Sequence, residues 1–456
     1  MDSPANGFCS RFEKYRTSFT PGVAPSAQLP YRKSVTFQIL GGTEMRYKLL
    51  TAALATTAAL QFAGPATATD LEVTHWWTSG GEAAAVAELA KAFDATGNHW
   101  VDGAIAGSGG TARPIMISRI TGGDPMGATQ FNHGRQAEEL VQAGLMRDLT
   151  DVATKGKWTE VVRPKSLLDS CTIGGKIYCV PVNIHSWQWL WLSNEAFQKA
   201  GVPLPKNWNE LVAAAPALEK AGIVPLAVGG QAWQSSGAFD VLLAAVGGTD
   251  TFLKVYKDKD AKFAAGPEVA KVFKAADDAR KMAKNTNVQD WNQATNMVIT
   301  GKAGGQIMGD WAQGEFQVAG KTAGKDYTCL PGLGLNEVIA TGGDAFYFPL
   351  LKDADKAKAQ EVLAETLLDP KTQVAFNLKK GSLPVRGDVD LNAANDCMKK
   401  GLAILAKGAV IPWTDQLLSQ DSQKQKEDLF SEFFAKPEMT VEEAQKRFAA
   451  IIATAD

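Results

Sequence analysis

The sequence predicts an α/β fold with a largely parallel sheet. From Asp70 onward, short apolar runs typical of strands alternate with stretches whose apolar residues are spaced for one buried helical face. Glycines are plentiful, with 43 in 456 residues, and several stand between a strand and the following helix. Repeated strand–helix–strand units imply parallel strands covered by helices. The hydrophobic content of 45% is ordinary for a globular protein and allows large buried cores.

Three strand–helix units come first, and the loop after each strand carries unusual residues. Strands are predicted near 71–76, 99–106 and 128–131, and helices near 82–97, 111–121 and 134–143. The following loops contain Trp76-Trp77, the glycine-rich residues 107–110, and Asn132-His133. Ligands bind at the carboxyl ends of strands in such sheets, so these loops predict one binding rim. The glycine-rich loop has neither a GK[ST] ending nor a GxGxxG pattern, which favours an ordinary tight turn over a phosphate site.

The later part of the chain continues the alternation. Strong alternation over 187–194 predicts a strand in which Trp187, Trp189 and Trp191 pack as core residues. Further strands are predicted at 224–228 and 305–308, helices fill much of 236–300, and the C-terminal region is helical. Extended passages marked by proline occur at 175–183, 329–332 and 380–385.

The N-terminal region predicts export. A basic start at 46–48, an apolar run over 49–60 and a small-residue ending are typical of a signal peptide, which we place at residues 45–69. The apolar run is shorter than the ~20 residues that a membrane span needs. Because a signal peptide begins a chain, we expect Met45 to be the initiator and residues 1–44 to be an extension from a misassigned gene start. An unusually long leader and a membrane anchor are the alternatives.

Charge and cysteine usage narrow the class of protein further. The formal net charge of -2 argues against a nucleic-acid partner. Because an exported chain meets an oxidising compartment, the four cysteines beyond the signal peptide predict disulfides. Cys171 and Cys179 flank a Gly-Gly-Lys turn, so we favour that pair, and Cys329 would then bond Cys397; four buried thiols are the alternative. No cysteine has the CxxC spacing of a metal site, and we expect no metal and no cofactor.

Several strings, in a fixed order, resemble the sugar-binding proteins of ABC importers. They are GGKIYCVPVNIHSWQWLWLSNEAFQKAGVPLPKNWNEL, GGQIMGDWAQGEF, GGDAFYFPLL and KKGSLPVR. The resemblance covers essentially all of 70–456 and is narrowest to the periplasmic glucose/mannose-type binders of extracellular solute-binding protein family 1. It implies a two-lobed, type II periplasmic binding fold with discontinuous lobes joined at a hinge. Its N-terminal lobe would comprise 70–181 and 330–380, and its C-terminal lobe 182–329 and 381–456.

The resemblance also implies a function and a site. The protein would be a non-enzymatic, periplasmic monomer that binds a monosaccharide or related small sugar between its lobes. It would deliver this ligand to the transmembrane subunits of an ABC permease. Aromatic planes would stack on the sugar and polar side chains would bond its hydroxyls. The candidate contacts are Trp76, Trp77, Glu82, Asn132, His133, His185, Gln231, Trp233, Asp310, Trp311, Asp344 and Lys380.

Two of these candidates depart from the glucose-binding relatives. Those relatives carry a lysine and a histidine in the last two contact segments, where this chain has Asp344 and Lys380. The exchange leaves the identity of the sugar open, and Asp344 could instead pair with Lys380 across the cleft. Glu82 could serve only the N-terminus of its helix.

Structural roles and other functions also compete with this interpretation. Trp311 could be a core residue, and His133 and His185 could be structural. An exported glycosidase using Glu82 and Asp310 would need carboxyl groups about 5–10 Å apart, but the sequence has no catalytic motif for it. A sugar sensor coupled to a chemoreceptor is a third hypothesis.

Overall fold

The computed structural model describes residues 68–456. The predicted N-terminal extension and signal peptide lie outside the described residues, except for residues 68 and 69. The strands in the described range are β1 (Asp70–His75), β2 (His99–Ala104), β3 (Ala128–Asn132), β4 (Thr172–Ile173), β5 (Lys176–Ile177), β6 (Cys179–Pro181), β7 (Trp189–Ser193), β8 (Val224–Leu226), β9 (Ala303–Ile307), β10 (Tyr327–Pro331), β11 (Ile339–Ala340), β12 (Asp344–Tyr347) and β13 (Val410–Ile411).

Helices connect and cover these strands. They are α1 (Gly80–Asp94), α2 (Ser108–Thr121), α3 (Glu138–Gln142), α4 (Thr150–Lys155), α5 (Trp158–Val161), α6 (Ser166–Asp169), α7 (Asn194–Ala200), α8 (Trp208–Lys220), α9 (Ala232–Val246), α10 (Thr249–Tyr256), α11 (Ala261–Ala264), α12 (Pro267–Ala283), α13 (Trp291–Ile299), α14 (Ala312–Val318), α15 (Ala354–Leu367), α16 (Pro370–Lys380), α17 (Asp396–Ala406), α18 (Thr414–Leu417), α19 (Gln420–Ala435) and α20 (Val441–Thr454). Among the helices of residues 68–456, none combines the length and the apolar character of a membrane span.

The first sheet has the strand order β2-β1-β3-β12-β6. β1 pairs in parallel with β2 and β3, as the β–α–β pattern predicts, whereas β12 runs antiparallel to β3 and β6. Leu71 and Val73 alternate toward the buried face of β1, and Leu89 and Phe93 lie four residues apart on the buried face of α1. The pairing of Asp344 with Asn132 brings the start of β12 beside the end of β3, at the rim where β3 meets its loop.

The second sheet has the order β10-β7-β9-β8. β7 runs antiparallel to both neighbours, and β8 and β9 pair in parallel. Its core includes Phe239 of α9, Phe273 of α12 and Phe430 of α19, whose rings lie 4.0–5.9 Å apart between centroids. The C-terminal helices therefore complete the second lobe, and the two-lobed α/β fold class is confirmed.

The chain crosses between the sheets three times. The first crossing follows β6 and leads into β7. β10 pairs with β7 of the second sheet, and β11 pairs with β13 in a separate two-stranded sheet whose residues Ala340 and Ile411 pack in the core of the second lobe. We therefore propose that the return crossing lies at 341–343, later than the boundary at 330 expected from sequence. A bridge between Ile184 and Leu383 joins the first and third crossings at the hinge.

Both predicted disulfides are formed. Cys171 and Cys179, with Cα atoms 5.1 Å apart, close the β4–β5 hairpin. Cys329 and Cys397, with Cα atoms 6.0 Å apart, join β10 to α17. The second bridge closes a loop with a sequence separation of 68 residues, so it removes much conformational freedom from the unfolded chain.

Candidate functional site

A cavity lies between the two lobes, at the carboxyl ends of β1 and β3. Its volume is about 970 Å³ when the open solvent at its mouth is included. We call the residues contributed by the first lobe the first wall: Trp76, Trp77, Glu82, Ser108, Gly109, Gly110, Arg113, Asn132, Gln136, Asp344 and Lys380. The second wall comprises Trp187, Trp233, Ser236, Gly237, Asp240, Trp291, Trp311, Trp413, Thr414, Asp415, Gln420, Gln423, Lys426 and Glu427. His185, on the first crossing segment, completes the lining.

A buried ion pair lies in the first wall. Ser79 caps α1 and donates a hydrogen bond to Glu82, which occupies the first turn where the helix dipole favours an anion. Lys380 stands in the last turn of α16, where a cation is favoured, and its Nζ lies 2.8 Å from Oε1 of Glu82. The alternative that Lys380 pairs with Asp344 is therefore wrong.

Asp344 is the centre of a second buried network in the first wall. Its Oδ1 accepts a hydrogen bond of 2.7 Å from Gln130, and its Oδ2 accepts from Asn183 at 2.9 Å and from His185 Nδ1 at 3.2 Å. Burial alone would raise the pKa of Asp344, but the charges of His185 and Lys380 outweigh it and hold the pKa well below the usual range. Burial alone would lower the pKa of His185, and the Asp344 carboxylate outweighs that effect and raises it.

The second wall is dominated by tryptophan. Trp187 lies at its centre, with its ring centroid 4.8 Å from Trp311, 5.4 Å from Trp233 and 6.3 Å from Trp413. The edge-to-face and stacked arrangements are those that aromatic pairs prefer. A continuous aromatic surface thus faces the charged groups of the first wall.

The strand prediction at 187–194 was wrong for Trp187 and Gln188 at its start and for Asn194 at its end. β7 begins at Trp189, because the preceding segment bonds elsewhere: Ser186 donates its N–H and hydroxyl to Asp310, and Trp189 N–H donates to Trp187 O. Trp189 and Trp191 are buried, as predicted, whereas Trp187 lines the cavity.

The two adjacent tryptophans after β1 have different surroundings. Trp77 is 1% exposed and packs against Phe346 and Phe376 at centroid distances of 5.7 and 5.3 Å, with Lys380 Nζ 5.4 Å from its ring. Trp76 is only partly buried and lines the same cavity. Trp77 is therefore mainly a packed part of the wall, whereas the ring of Trp76 is more open to the cavity.

Three predicted contacts lie outside the cavity lining. His133 is buried behind it, where its Nδ1 is 2.7 Å from Ser170 Oγ; burial and the charge of His185 lower its pKa to about 4, so the ring is neutral. Asp310 accepts the Ser186 bonds, and burial raises its pKa to about 7 against the opposing charge of His185. Gln231 donates a bond of 3.1 Å to Ser108 across the two lobes. The other nine predicted residues line the cavity.

Sequence reasoning missed several residues of the second wall. Asp240 of α9 and Lys426 of α19 form a buried ion pair with an N–O distance of 2.5 Å, although 186 positions separate them. Asp415 reaches across to the first lobe, where Asn132 and Gln136 donate bonds of 2.9 and 3.0 Å to its two oxygens. These residues stand in helical segments without a distinctive local pattern, so only tertiary packing identifies them.

Some of the buried polar atoms without a hydrogen-bond partner among residues 68–456 lie in the cavity lining or directly behind it. They include Trp77 Nε1, Asn132 Oδ1, His133 Nε2, His185 Nε2, Trp233 Nε1, Asp310 Oδ1 and Gln420 Nε2. A buried polar group that makes no bond costs about 1–3 kcal/mol. Donors and acceptors of this kind, beside aromatic rings, suit a ligand that has both hydroxyl groups and apolar faces.

Comparison with known proteins gives consistent results. Residues 77–374 match the model of the bacterial extracellular solute-binding protein family. A probable sugar-binding periplasmic protein of Brucella melitensis is 37% identical over 366 residues, which cover 78% of this chain and 86% of the relative. A protein of Rhizobium meliloti with the same description is 37% identical, covering 77% of this chain and 84% of that protein.

Solved structures share the fold. The crystal structure of a bacterial solute receptor described as preferring β-D-galactopyranose superposes with a TM-score of 0.69 at 22% identity, covering 84% of this chain and 98% of the receptor. A chitin oligosaccharide binding protein superposes with a TM-score of 0.69 at 19% identity, covering 85% and 99% of the two chains. The matched family model, the curated relatives and the two-lobed fold agree, and the chain belongs to the bacterial extracellular solute-binding protein family.

Proposed function

We propose that this protein binds a small neutral sugar between its two lobes, as the solute-binding component of an ABC importer. The observation that carries the proposal is a cavity in which tryptophan rings face buried charged and unpartnered polar side chains. A sugar ring has apolar C–H faces that stack on aromatic planes and a rim of hydroxyls that bond polar groups. The names of the relatives, which are sugar-binding proteins, support the same ligand class.

The charges of the cavity favour a neutral ligand. Glu82 is bonded to Lys380, Asp240 to Lys426, and Asp344 to His185. These three buried acids therefore already have cationic partners, and a charged ligand group placed against them would be left without one. Hydroxyl groups can instead add hydrogen bonds to these ion pairs without changing the charge balance.

Binding between the lobes supports delivery to a membrane permease. The ligand would stabilise the closed arrangement through contacts with both walls, and the closed surface would be recognised by the transmembrane subunits. A monomer in the periplasm would suffice for this cycle.

The hydrolytic alternative receives no support from the positions of the two carboxylates. Glu82 is held by Lys380, and Asp310 lies behind the cavity lining with Ser186. A glycosidase needs two carboxyl groups that flank the scissile bond.

A thermal-shift screen of the purified protein against D-glucose, D-mannose, D-galactose, D-xylose and L-arabinose tests the proposal. A sugar at about 100 times its Kd should stabilise the protein by about 2.7 kcal/mol, which raises the melting temperature. Calorimetric titration of wild type and of Trp187→Ala would locate the binding, because the variant removes the centre of the second wall. Release of sugar from nitrophenyl glycosides, with no stabilisation by free sugars, would contradict the proposal.

A further inference from the structure

A buried histidine lies directly behind the first wall. His75 is the last residue of β1, is 1% exposed, and immediately precedes Trp76 and Trp77. Among residues 68–456, the lining of the cavity does not include its side chain. Sugar contact therefore does not explain this ionisable group, and its role has to be sought in the groups that it bonds.

Both ring nitrogens of His75 have a partner. Nε2 lies 2.6 Å from Oδ1 of Asp102 on β2, whose side chain is 60% exposed. The backbone N–H of Trp77 donates to Nδ1 at 3.2 Å. The parallel register pairs Asp102 with Val73, two residues before His75, so both side chains lie on the same face of the sheet. We call this row of groups, from the Asp102 carboxylate through the imidazole to the Trp77 amide, the histidine bridge.

The two bonds determine where the ring carries its hydrogen. A backbone N–H can only donate, so Nδ1 is the unprotonated nitrogen, and Nε2 carries the hydrogen that it donates to Asp102. An added proton would occupy Nδ1 and place two donors against each other. Protonation therefore breaks the bond to Trp77, although it strengthens the attraction between the ring and Asp102.

Charged groups from three elements act on the imidazole. Burial lowers the pKa of His75, whereas Asp102 of β2 and Glu82 of α1 oppose that effect. Lys380 of α16 lowers the pKa further, and the net direction is downward. The ring is therefore neutral at neutral pH and takes up its proton below the usual pKa of about 6.5.

The position of Trp77 affects two residues that line the cavity. Its ring lies 5.7 Å from that of His75 between centroids. Trp76 precedes it directly, and two residues after it Ser79 caps α1, whose first turn carries Glu82. A shift of the Trp77 backbone would thus move the ring of Trp76 on one side and the carboxylate of Glu82 on the other, and both of these line the cavity.

We propose that His75 is a positioning residue for the sugar site and makes sugar binding sensitive to acid. With a neutral ring, the histidine bridge holds the Trp77 backbone so that Trp76 and Glu82 face the cavity. With a protonated ring, the Trp77 amide loses its acceptor, the loop shifts and the affinity for sugar falls. This inference rests on the proposed sugar-binding function and adds a control of that same site by pH.

Two replacements of His75 separate its two bonds. The amide oxygen of asparagine can take the place of Nδ1, so His75→Asn keeps an acceptor for Trp77 and cannot be protonated. The longer glutamine places its amide near Nε2, so His75→Gln keeps the contact with Asp102 and loses that acceptor. At neutral pH, His75→Asn should therefore bind sugar about tenfold more tightly than His75→Gln.

Calorimetric titrations at about pH 7.5 and about pH 5 measure these affinities. The probes are D-glucose, D-mannose, D-galactose, D-xylose and L-arabinose. Between the two conditions, wild type should lose at least about threefold more affinity than His75→Asn. His185 and Asp310 titrate in both proteins, so the difference between the two pH profiles isolates the contribution of His75.

Asp102→Asn tests the bridge from its exposed end. The variant keeps an acceptor for Nε2 but removes a charge that favours the protonated ring, so its loss of affinity should begin at a lower pH than in wild type. Asp70→Asn is the matched control. Asp70 pairs with His99 on the same two strands, at the ends far from the cavity, and both side chains are exposed. This control should change neither the affinity nor its pH profile.

NMR of protein with ¹⁵N-labelled histidine tests the bridge without a sugar. The chain has only four histidines, so single replacements assign their signals. At neutral pH the nitrogen shifts of His75 should show a hydrogen on Nε2. A hydrogen on Nδ1, or equal acid losses of affinity in wild type and His75→Asn, would overturn the inference and leave the proposed function intact. Binding of none of the sugars by wild type would contradict the proposed function, and with it the effect on affinity, whichever nitrogen carries the hydrogen.

Discussion

The two walls of the cavity carry different proportions of charged and aromatic side chains. The first wall holds buried charges in fixed pairs, such as Glu82 with Lys380, and each partner lies at the helix end that favours its sign. The second wall has one buried pair, Asp240 with Lys426, and presents a larger aromatic surface in which Trp187 contacts Trp233 and Trp311. A sugar held between them would be oriented by hydrogen bonds on one side and stacked on the other.

We expect the charged pairs and the aromatic faces to contribute to sugar binding in different ways. Charged pairs in a low-dielectric site are costly to disrupt, because a lost partner leaves an uncompensated charge. Aromatic faces contribute contact area, and stacking on them depends less on the exact geometry of the ligand than hydrogen bonds to charged groups do. We therefore expect the first wall to determine which hydroxyl pattern is accepted, and the second wall to supply much of the affinity.

Truncation of one of the two adjacent tryptophans of the first wall should give the largest loss of stability. Trp77→Ala removes a ring packed between Phe346 and Phe376 and should lower the free energy of unfolding by about 3–5 kcal/mol. Trp76→Ala is the same truncation one residue earlier. It should lower the free energy of unfolding by about 1 kcal/mol or less and should weaken sugar binding. Denaturant unfolding and calorimetry measure both quantities. Equal loss of stability in the two variants would remove the distinction between a supporting and a ligand-facing ring.

Lys380→Met tests the charged pair of the first wall. The variant leaves Glu82 buried without its cation and should lower the free energy of unfolding by about 3 kcal/mol. This is the lower end of the range for buried pairs, because Ser79 still donates a hydrogen bond to the carboxylate. The double variant Glu82→Gln/Lys380→Met is the control and should recover much of the lost stability in denaturant unfolding. A loss below about 1 kcal/mol in Lys380→Met would mean that the pair behaves like an exposed salt bridge.

Asp415 joins the two walls, and its replacement should reduce affinity more than stability. Asp415→Ala removes the acceptor of the bonds from Asn132 and Gln136 and lowers the population of the closed arrangement. The apparent Kd should rise in proportion to the fall in this population, by about tenfold if the closed arrangement is destabilised by about 1.4 kcal/mol. Asp421→Ala, at an exposed residue of α19 that does not cross the cavity, is the matched control. The same small effect in both variants, measured by calorimetry, would show that Asp415 does not assist closure.

The burial of Asp310 predicts a change in the pH dependence of stability. Burial raises its pKa to about 7, above the value of about 4 in the unfolded chain, so the folded state binds more protons between these values. Its contribution to stability is therefore present at low pH and is lost as the pH rises through about 7. As the pH rises from about 4 to about 7, Asp310→Asn should therefore gain stability relative to wild type.

Parallel unfolding curves of the two proteins measure this difference directly. His133, whose pKa is lowered to about 4, contributes the opposite slope, but it does so in both proteins and cancels. A stability difference that does not vary with pH would contradict the buried position of an ionisable Asp310.

The sequence was sufficient for the fold class because its signals are local. The β–α–β alternation after Asp70 predicted the parallel part of the first sheet, and the turn between Cys171 and Cys179 predicted a disulfide-closed hairpin. The antiparallel strand β12 was harder to place, since it enters the first sheet from more than 200 residues along the chain.

The site was predictable only in part. Residues that follow strands, such as Trp76, Glu82 and Asn132, were found because strand ends mark a rim in α/β folds. Trp187 was missed because its alternation with Trp189 imitates a strand. Lys426 was missed because it reaches the cavity through the packing of α19 against α9, which no local pattern reveals.

The most direct test is a crystal structure of the protein with the sugar that stabilises it most. We expect a ring in the cavity, with one face against a tryptophan of the second wall and hydroxyls within about 2.7–3.2 Å of Glu82, Lys380 or Asp344. A ligand bound outside this cavity, or one that contacts a single wall only, would contradict a site built from a charged wall and an aromatic wall.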